Sequence, residues 1–252
     1  MPTCNGYYYR RYDGGTGASF HPVILLHGLG GTHLSWPPVM RRLPGQIVYA
    51  LDLPGHGRST DPACADIDCH IRSLEAFFRC MQFRRFSLVG HSMGAMVALA
   101  YAHQHPQQIY KLSLLAIGLH IRYRAELAHY FRYERTRNKA IKHLQEHSFH
   151  PNFSTQQRKK LFEPLSSQRL SVLHADASVA ADFNALRFIR DTTFPIQLVA
   201  GEDDALVPVS GVRMLAAKLD NAVLQILKDC GHSIPFEQTY KGRELLIEFL
   251  AD

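Results

Sequence analysis

Ser92 is the residue whose surroundings most favour chemistry. It sits in Gly90-His91-Ser92-Met93-Gly94, where the apolar, strand-like run Phe86-Ser87-Leu88-Val89 gives way to a helix-forming stretch. A serine on a sharp strand-to-helix turn is strained and exposes its hydroxyl, and neighbours without side chains let the backbone fold that tightly. Gly90 and Gly94 would supply the room. A serine hydroxyl attacks poorly until a base takes its proton, and the base must itself be held and balanced by a carboxylate. His232, in Asp229-Cys230-Gly231-His232-Ser233, follows the apolar run Val223 to Leu227 and is the candidate base. Ahead of it, Gly201-Glu202-Asp203-Asp204-Ala205-Leu206-Val207-Pro208 offers three carboxylates. Two glycines and a serine at this spacing are a weak signal alone; the setting strengthens them.

The elements that must position these groups can be read from hydrophobic periodicity. Tyr7 to Tyr12, Val23 to Leu26, Ile47 to Leu51, Phe86 to Gly90, Leu112 to Ile117, Pro195 to Gly201 and Val223 to Leu227 read as strands. Most are continuous apolar runs, as expected of strands buried on both faces. The turn-rich Asp13-Gly14-Gly15-Thr16-Gly17 separates the first two. Ser35 to Leu43, Asp66 to Met81, Met93 to His103, Pro208 to Leu219 and Tyr240 to Leu250 read as helices. Strands alternating with helices imply right-handed crossovers and a mostly parallel sheet covered on both faces. The alternation stops near Gly118 and resumes at Pro195. The intervening 119–190 is basic, aromatic, His-rich and helical in spacing, which predicts an inserted helical cap on a core of residues 1–118 and 191–252.

Composition sets outer limits. A chain of 252 residues that is 46% hydrophobic can bury one substantial core, which excludes disordered and fibrous classes. The amino terminus lacks a basic patch followed by an apolar core, and no run approaches the length of a membrane span, so a soluble cytoplasmic protein is expected. Five cysteines without framework spacing predict reduced thiols. Cys64, Cys69 and His70 lack a second ligand pair at matching spacing, so no metal is expected there. The net charge is +6, but thirteen Lys and Arg against six Asp and Glu fall within Leu119 to Arg190, so the excess is local. It lacks the patterns of nucleic-acid readers, which leaves a solvated basic face, or a site for an anionic ligand.

His27-Gly28-Leu29-Gly30, Asp52-Leu53-Pro54-Gly55-His56-Gly57-Arg58-Ser59, the Ser92 pentapeptide, Gly201 to Pro208 and Gly231-His232 stand in an order and spacing that resemble the α/β-hydrolase superfamily, in its small, capped, esterase-like branch. The resemblance covers most of the chain outside the cap. It implies an α/β fold with a central sheet of about eight strands, and the chain order nucleophile, acid, histidine. In the pattern Gly-X-X-Asp-X-X-Val-Pro the family's acid falls on Asp204, with Asp203 and Glu202 as solvated neighbours. The implied mechanism is acyl transfer: Ser92 attacks a carbonyl, His232 takes its proton, Asp204 holds the imidazole, and water hydrolyses the acyl-enzyme. By the same resemblance the oxyanion donors are the backbone N–H groups of Leu29 and Met93.

No cofactor and no metal are required. The expected substrate is a small ester or thioester, an anionic one being favoured by the basic cap; no nucleic acid or membrane insertion is expected, and the protein is a monomer or homodimer. Carbon-carbon bond hydrolases and enol-lactonases use the same triad, and a hydrolase-like ligand receptor would keep it too, so the triad alone does not fix the substrate. His27 and His56 are expected to shape their loops rather than act as bases, and Asp52 and Arg58 to hold theirs together. His120, His129, His143, His147 and His150 show no metal-ligand spacing, and the cap aromatics Tyr123, Tyr130, Phe131, Tyr133, Phe149, Phe153 and Phe162 divide between lining an apolar acyl or aromatic pocket and, at helical spacing, filling core.

Overall fold

A computed structural model of the chain describes residues 3–15, 21–60, 62–189 and 192–251. Thr16, Gly17 and the expected carboxyl boundary of the cap, 190–191, lie outside the described residues. The strands are β1 (Thr3–Cys4), β2 (Tyr7–Asp13), β3 (Val23–Leu26), β4 (Ile47–Leu51), β5 (Phe86–His91), β6 (Ile109–Leu115), β7 (Ile196–Gly201) and β8 (Ala222–Leu227). They form one eight-stranded sheet in the order β1-β2-β4-β3-β5-β6-β7-β8. Pairing is antiparallel for β1–β2 and β2–β4, and parallel from β4 through β8. This is the α/β-hydrolase architecture that the motifs imply.

The helices are α1 (Pro38–Arg41), α2 (Ile67–Cys80), α3 (Met93–Gln104), α4 (Arg124–Tyr130), α5 (Glu134–His147), α6 (Thr155–Ser167), α7 (Leu170–Asp182), α8 (Val209–Ala216), α9 (Ile234–Glu237) and α10 (Thr239–Leu250). Strand parity divides them between two layers, because successive side chains leave a strand on opposite faces. Ile24 and Leu26 join Leu88, Leu112, Leu114 and Leu198 beneath α2, α3 and α8. Val23 and Leu25 join Val89, Leu115 and Val199 beneath α1 and α10, with Trp36 and Met40. Each fully buried side chain of this size contributes roughly 1.5–3 kcal/mol of hydrophobic stabilisation. Helix α3 is buried on every side from Met93 to Ala102, since the sheet covers one flank and α2 and α7 pack on others. Asp66 caps α2 by accepting the Cys69 N–H at 2.7 Å, a bond worth about 1 kcal/mol.

Two local expectations are displaced, and two short elements are added. The predicted helix from Ser35 to Leu43 is a 3₁₀ turn at His33–Ser35 followed by the single turn α1, because Pro37 and Pro38 interrupt continuous helix. Strand β6 begins at Ile109 and ends at Leu115, short of Ile117, since Ala116 turns into positive φ. The short β1 and α9 have too few residues to show a period.

The cysteines require a larger correction. Reduced thiols are expected from their number, but the structure pairs Cys4 with Cys80 and Cys64 with Cys69, leaving Cys230 free and buried. Spacing cannot reveal the first pair: its residues are 76 apart in the chain, and folding brings their Cα atoms to 6.0 Å. Unfolded protein under non-reducing conditions should therefore titrate one thiol, and five after reduction. Loop-closure entropy grows with loop length, so opening Cys4–Cys80 by Cys80→Ala should cost about 4 kcal/mol, and opening Cys64–Cys69 about 2 kcal/mol, in urea unfolding. Equal costs, or five thiols before reduction, would contradict the pairing. No helix among the described residues is long and apolar enough to cross a membrane.

Candidate active site

Strand β5 ends at His91 and α3 begins at Met93, so Ser92 alone makes the turn, at φ 55° and ψ −120°. A non-glycine residue at positive φ costs on the order of 1–3 kcal/mol and persists only where its surroundings enforce it. The enforcement is visible in the packing. A Cβ on Gly90 would overlap the Gly94 carbonyl and Ala95, and one on Gly94 would overlap the Leu26 and His27 carbonyl oxygens. The Ser92 N–H donates to the Leu115 carbonyl, and its own carbonyl starts α3 by accepting from Ala95 and Met96.

The loops after β7 and β8 bring the other two residues to the same carboxyl edge of the sheet, where open α/β folds place their sites. His232 Nε2 lies 2.8 Å from Ser92 Oγ, and His232 Nδ1 lies 2.8 Å from Asp204 Oδ2. A carboxylate can only accept, so Nδ1 carries the proton and Nε2 is free to accept from the serine hydroxyl. The second oxygen of Asp204 accepts the N–H groups of Leu206 and Val207, both at 2.8 Å, which fixes the carboxylate's rotation. Asp203 points elsewhere: it is half exposed and stands 3.7 Å from His150. Such a row of hydroxyl, imidazole and oriented carboxylate can shuttle a proton from an attacking serine to a leaving group.

Leu29 follows β3, and Gly28 runs against the serine, close enough that a Cβ on it would stand 3.3 Å from the Ser92 Cβ. Among the described residues neither the Leu29 nor the Met93 N–H donates to another group, leaving both available to an incoming oxyanion. Met93 is also the first residue of α3, where the helix dipole favours negative charge.

Histidines flanking the site have structural partners. His27 Nδ1 donates to the Gly28 carbonyl, and its Nε2 accepts the Leu53 N–H at 3.0 Å; burial, with His56 nearby, lowers its pKa to about 3. His91 Nε2 donates to the His232 carbonyl at 2.9 Å, tying the serine turn to the histidine loop. Enclosure, and then the neighbouring His232, lower its pKa to about 4, so it stays neutral. Asp52 accepts from the His33 backbone N–H at 2.6 Å, the His33 ring at 2.7 Å and the Arg58 N–H at 3.0 Å. Burial would raise its pKa, but those donors overcome the penalty and lower it.

Two functional candidates escaped the sequence reading. Glu237, in α9, accepts the N–H groups of Gly231 and Ser233, on either side of His232, and that of His150 at 2.6 Å. Burial raises its pKa, opposed by those donors. Its only advance signal is an acid in the first turn after a proline, where helix N–H groups are free. Asp176 in α7 is the other, a carboxylate flanked by Ala175 and Ala177 on the buried side of that helix. Elsewhere in 119–189, the His143 and His147 rings stack at 4.2 Å and Phe149 stacks on Phe153 at 4.7 Å. Among the described residues no group of three His, Cys, Asp or Glu is placed to hold a metal ion.

The sequence profile of the alpha/beta hydrolase fold family matches residues 21–239, and the chain belongs to that family. Among curated proteins it is similar to the monoacylglycerol lipase ABHD6 of Bos taurus, 26% identical over 254 residues that cover 91% of this chain and 75% of that one. It is also similar to the 2-hydroxy-6-oxononadienedioate/2-hydroxy-6-oxononatrienedioate hydrolase of Paraburkholderia xenovorans (strain LB400), 26% identical over 268 residues that cover 95% of this chain and 89% of that one. Among solved structures, the enol-lactonase from Burkholderia xenovorans LB400 superposes with a TM-score of 0.88 at 18% identity, covering 99% of this chain and 98% of that one. That last likeness is one of fold.

Proposed function

We propose that the protein is a serine hydrolase that cleaves a carboxylic ester, or a thioester, through an acyl-enzyme on Ser92. The observation that carries this reading is His232 bridging Ser92 Oγ and Asp204 Oδ2 at 2.8 Å on each side. His232 removes the hydroxyl proton as Ser92 attacks, and returns it to the leaving alkoxide or thiolate. The N–H groups of Leu29 and Met93 receive the charge that develops on the carbonyl oxygen; each such donor is worth on the order of 10² to 10³ in rate. Water, activated by the same histidine, then releases the acid. The helical 119–189 segment acts as the cap. It packs Leu165 and Leu173 on Gly30, so the side of the oxyanion turn that faces the cap is apolar. The lipase named among the relatives supports an ester, and the equally identical dienedioate hydrolase supports carbon-carbon bond cleavage as the second reading.

The test is a panel of p-nitrophenyl esters of increasing chain length, matched thioesters, a monoacylglycerol and a vinylogous 1,5-diketone. Turnover should be highest for esters and should rise from acetate to a medium chain. A preference for the diketone of at least about tenfold, equivalent to roughly 1.4 kcal/mol in transition-state binding, would replace the ester reading with carbon-carbon bond cleavage.

A further inference from the structure

Helix α7 reads Leu-Ser-Val-Leu-His-Ala-Asp-Ala-Ser-Val-Ala-Ala-Asp, and its one interior carboxylate, Asp176, is wholly buried. A charge removed from water needs partners, and Asp176 finds them on two loops of the sheet domain. Its Oδ2 accepts the Gly30 N–H at 2.7 Å and the His56 Nε2–H at 2.8 Å. The other ring nitrogen of His56 faces the Pro54 carbonyl at 3.1 Å. Both partners of His56 can only accept, so both of its nitrogens carry protons and the pair is ionic. Burial lowers the His56 pKa, but the charge and hydrogen bond of Asp176 more than reverse it; burial raises that of Asp176, and His56 and Gly30 more than reverse that. Other titratable groups near the pair are Asp52, whose charge also raises the His56 pKa, His27, whose ring lies 4.8 Å from that of His56, and the buried His70, held neutral by burial with a pKa of about 4.

What Asp176 grips matters more than how tightly. Gly30 follows Leu29, the proposed oxyanion donor, and stands at φ +63°. Glycine has wide backbone freedom, so a turn built from Gly28, Leu29, Gly30 and Gly31 needs outside restraint to present one N–H in one direction. The turn supplies one bond of its own, Gly31 N–H to the Gly28 carbonyl at 3.1 Å. The His27 ring holds the Gly28 carbonyl, and residues 119–189 restrain Gly30: Asp176 holds the N–H that follows Leu29, while Leu165 and Leu173 fill the space a Cβ on Gly30 would need.

We propose that Asp176 is a positioning residue: by anchoring Gly30 to α7 it fixes the direction of the Leu29 N–H, so that the oxyanion site is complete only while the helical segment is docked. This rests on the serine-hydrolase reading of Ser92. The His56 hydrogen bond to Asp176, together with the Arg169 guanidinium donating to the Gly55 carbonyl at 2.9 Å and the packing of Leu165 and Leu173 on Gly30, keeps that docking in place. Asp176 does not touch the reacting atoms; by fixing the Leu29–Gly30 peptide plane it restrains Leu29 Cα and, through it, the preceding plane that carries the Leu29 N–H.

The experiment compares Asp176→Asn, Asp176→Glu and Asp176→Ala against wild type on the best p-nitrophenyl ester, with phenylboronic acid as a mimic of the tetrahedral anion. Asparagine keeps an oxygen where Gly30 needs one but removes the charge; glutamate keeps the charge but moves the oxygen by one methylene. Positioning predicts kcat within about threefold of wild type for Asp176→Asn, and a fall of about 10 to 100-fold for Asp176→Glu and Asp176→Ala, on the scale of one oxyanion donor misdirected but not removed. KM should stay within about twofold, and boronate inhibition should weaken in parallel with kcat. A merely structural ion pair predicts the reverse order, with Asp176→Glu the better variant, and no selective loss of boronate. That order, or equal kcat in the Asn and Glu variants, overturns the proposal even if Asp176→Ala does not fold. Fluorophosphonate labelling of wild type separates the two ideas. Failure to label Ser92 sinks the hydrolase reading, whereas a labelled wild type beside a fully active Asp176→Ala sinks only the role given to Asp176.

Discussion

Ser92→Ala is expected to lower kcat for any ester the protein hydrolyses by at least about 10⁴-fold, and His232→Ala by a similar factor. The two should not add, because they act as one unit: without the hydroxyl there is nothing for the imidazole to deprotonate. Residual turnover above the uncatalysed rate would come from the Leu29 and Met93 donors and from substrate binding. The variants should also separate chemistry from strain. Ser92 holds positive φ between β5 and α3, and alanine at that position suffers the same backbone clash. Glycine does not, so Ser92→Gly should be inactive yet more stable than Ser92→Ala by about 1 kcal/mol. Steady-state kinetics with active-site titration, alongside urea unfolding, reads both effects. An active Ser92→Ala would end the acyl-enzyme reading, and equal stability of the two variants would mean the turn is not enforced in the way the packing of Gly90 and Gly94 indicates.

Sequence reasoning reached the residues whose chemistry depends on local pattern. The serine turn is legible because tight backbone approach demands small residues at fixed offsets, and Gly90 and Gly94 meet the carbonyls that impose that demand. Val23 to Leu26 and Ile47 to Leu51 were legible as buried strands because both faces of a covered parallel sheet are apolar. Asp204 could be separated from Asp203 only by resemblance. In the structure the distinction is physical, since one carboxylate meets His232 and two backbone donors and the other faces solvent and His150. What stayed hidden depends on distance in the chain. Asp176 meets Gly30 across 146 positions and His56 across 120, and Cys4 meets Cys80 across 76, so no local period marks any of them. Asp176 did leave one trace, a carboxylate among Ala, Val and Leu on the buried side of a helix, where an unpaired charge would not be tolerated.

Asp204→Asn should be the most informative single substitution in the site, because it changes one atom and leaves the shape intact. The Asp204 Oδ1 position accepts two N–H groups, from Leu206 and Val207, and an amide nitrogen placed there would oppose both. The asparagine oxygen therefore stays with the backbone, and its NH₂ turns to His232. Two donors cannot face each other, so His232 Nδ1 loses its proton to become the acceptor, and the proton moves to Nε2. Nε2 then faces the Ser92 hydroxyl already protonated and cannot take its hydrogen. The expected result is a fall in kcat of about 10⁴-fold, with little change in KM or in the unfolding midpoint, because the same hydrogen-bond sites remain filled. Asp203→Asn should stay within about twofold of wild type, as its carboxylate meets His150 only at long range and the interaction is exposed to solvent. If instead Asp203→Asn loses activity and Asp204→Asn keeps it, the acid has been assigned to the wrong neighbour. A loss in both would mean that the loop after β7 acts as a unit, with His150 and the segment that carries it contributing to the orientation of His232.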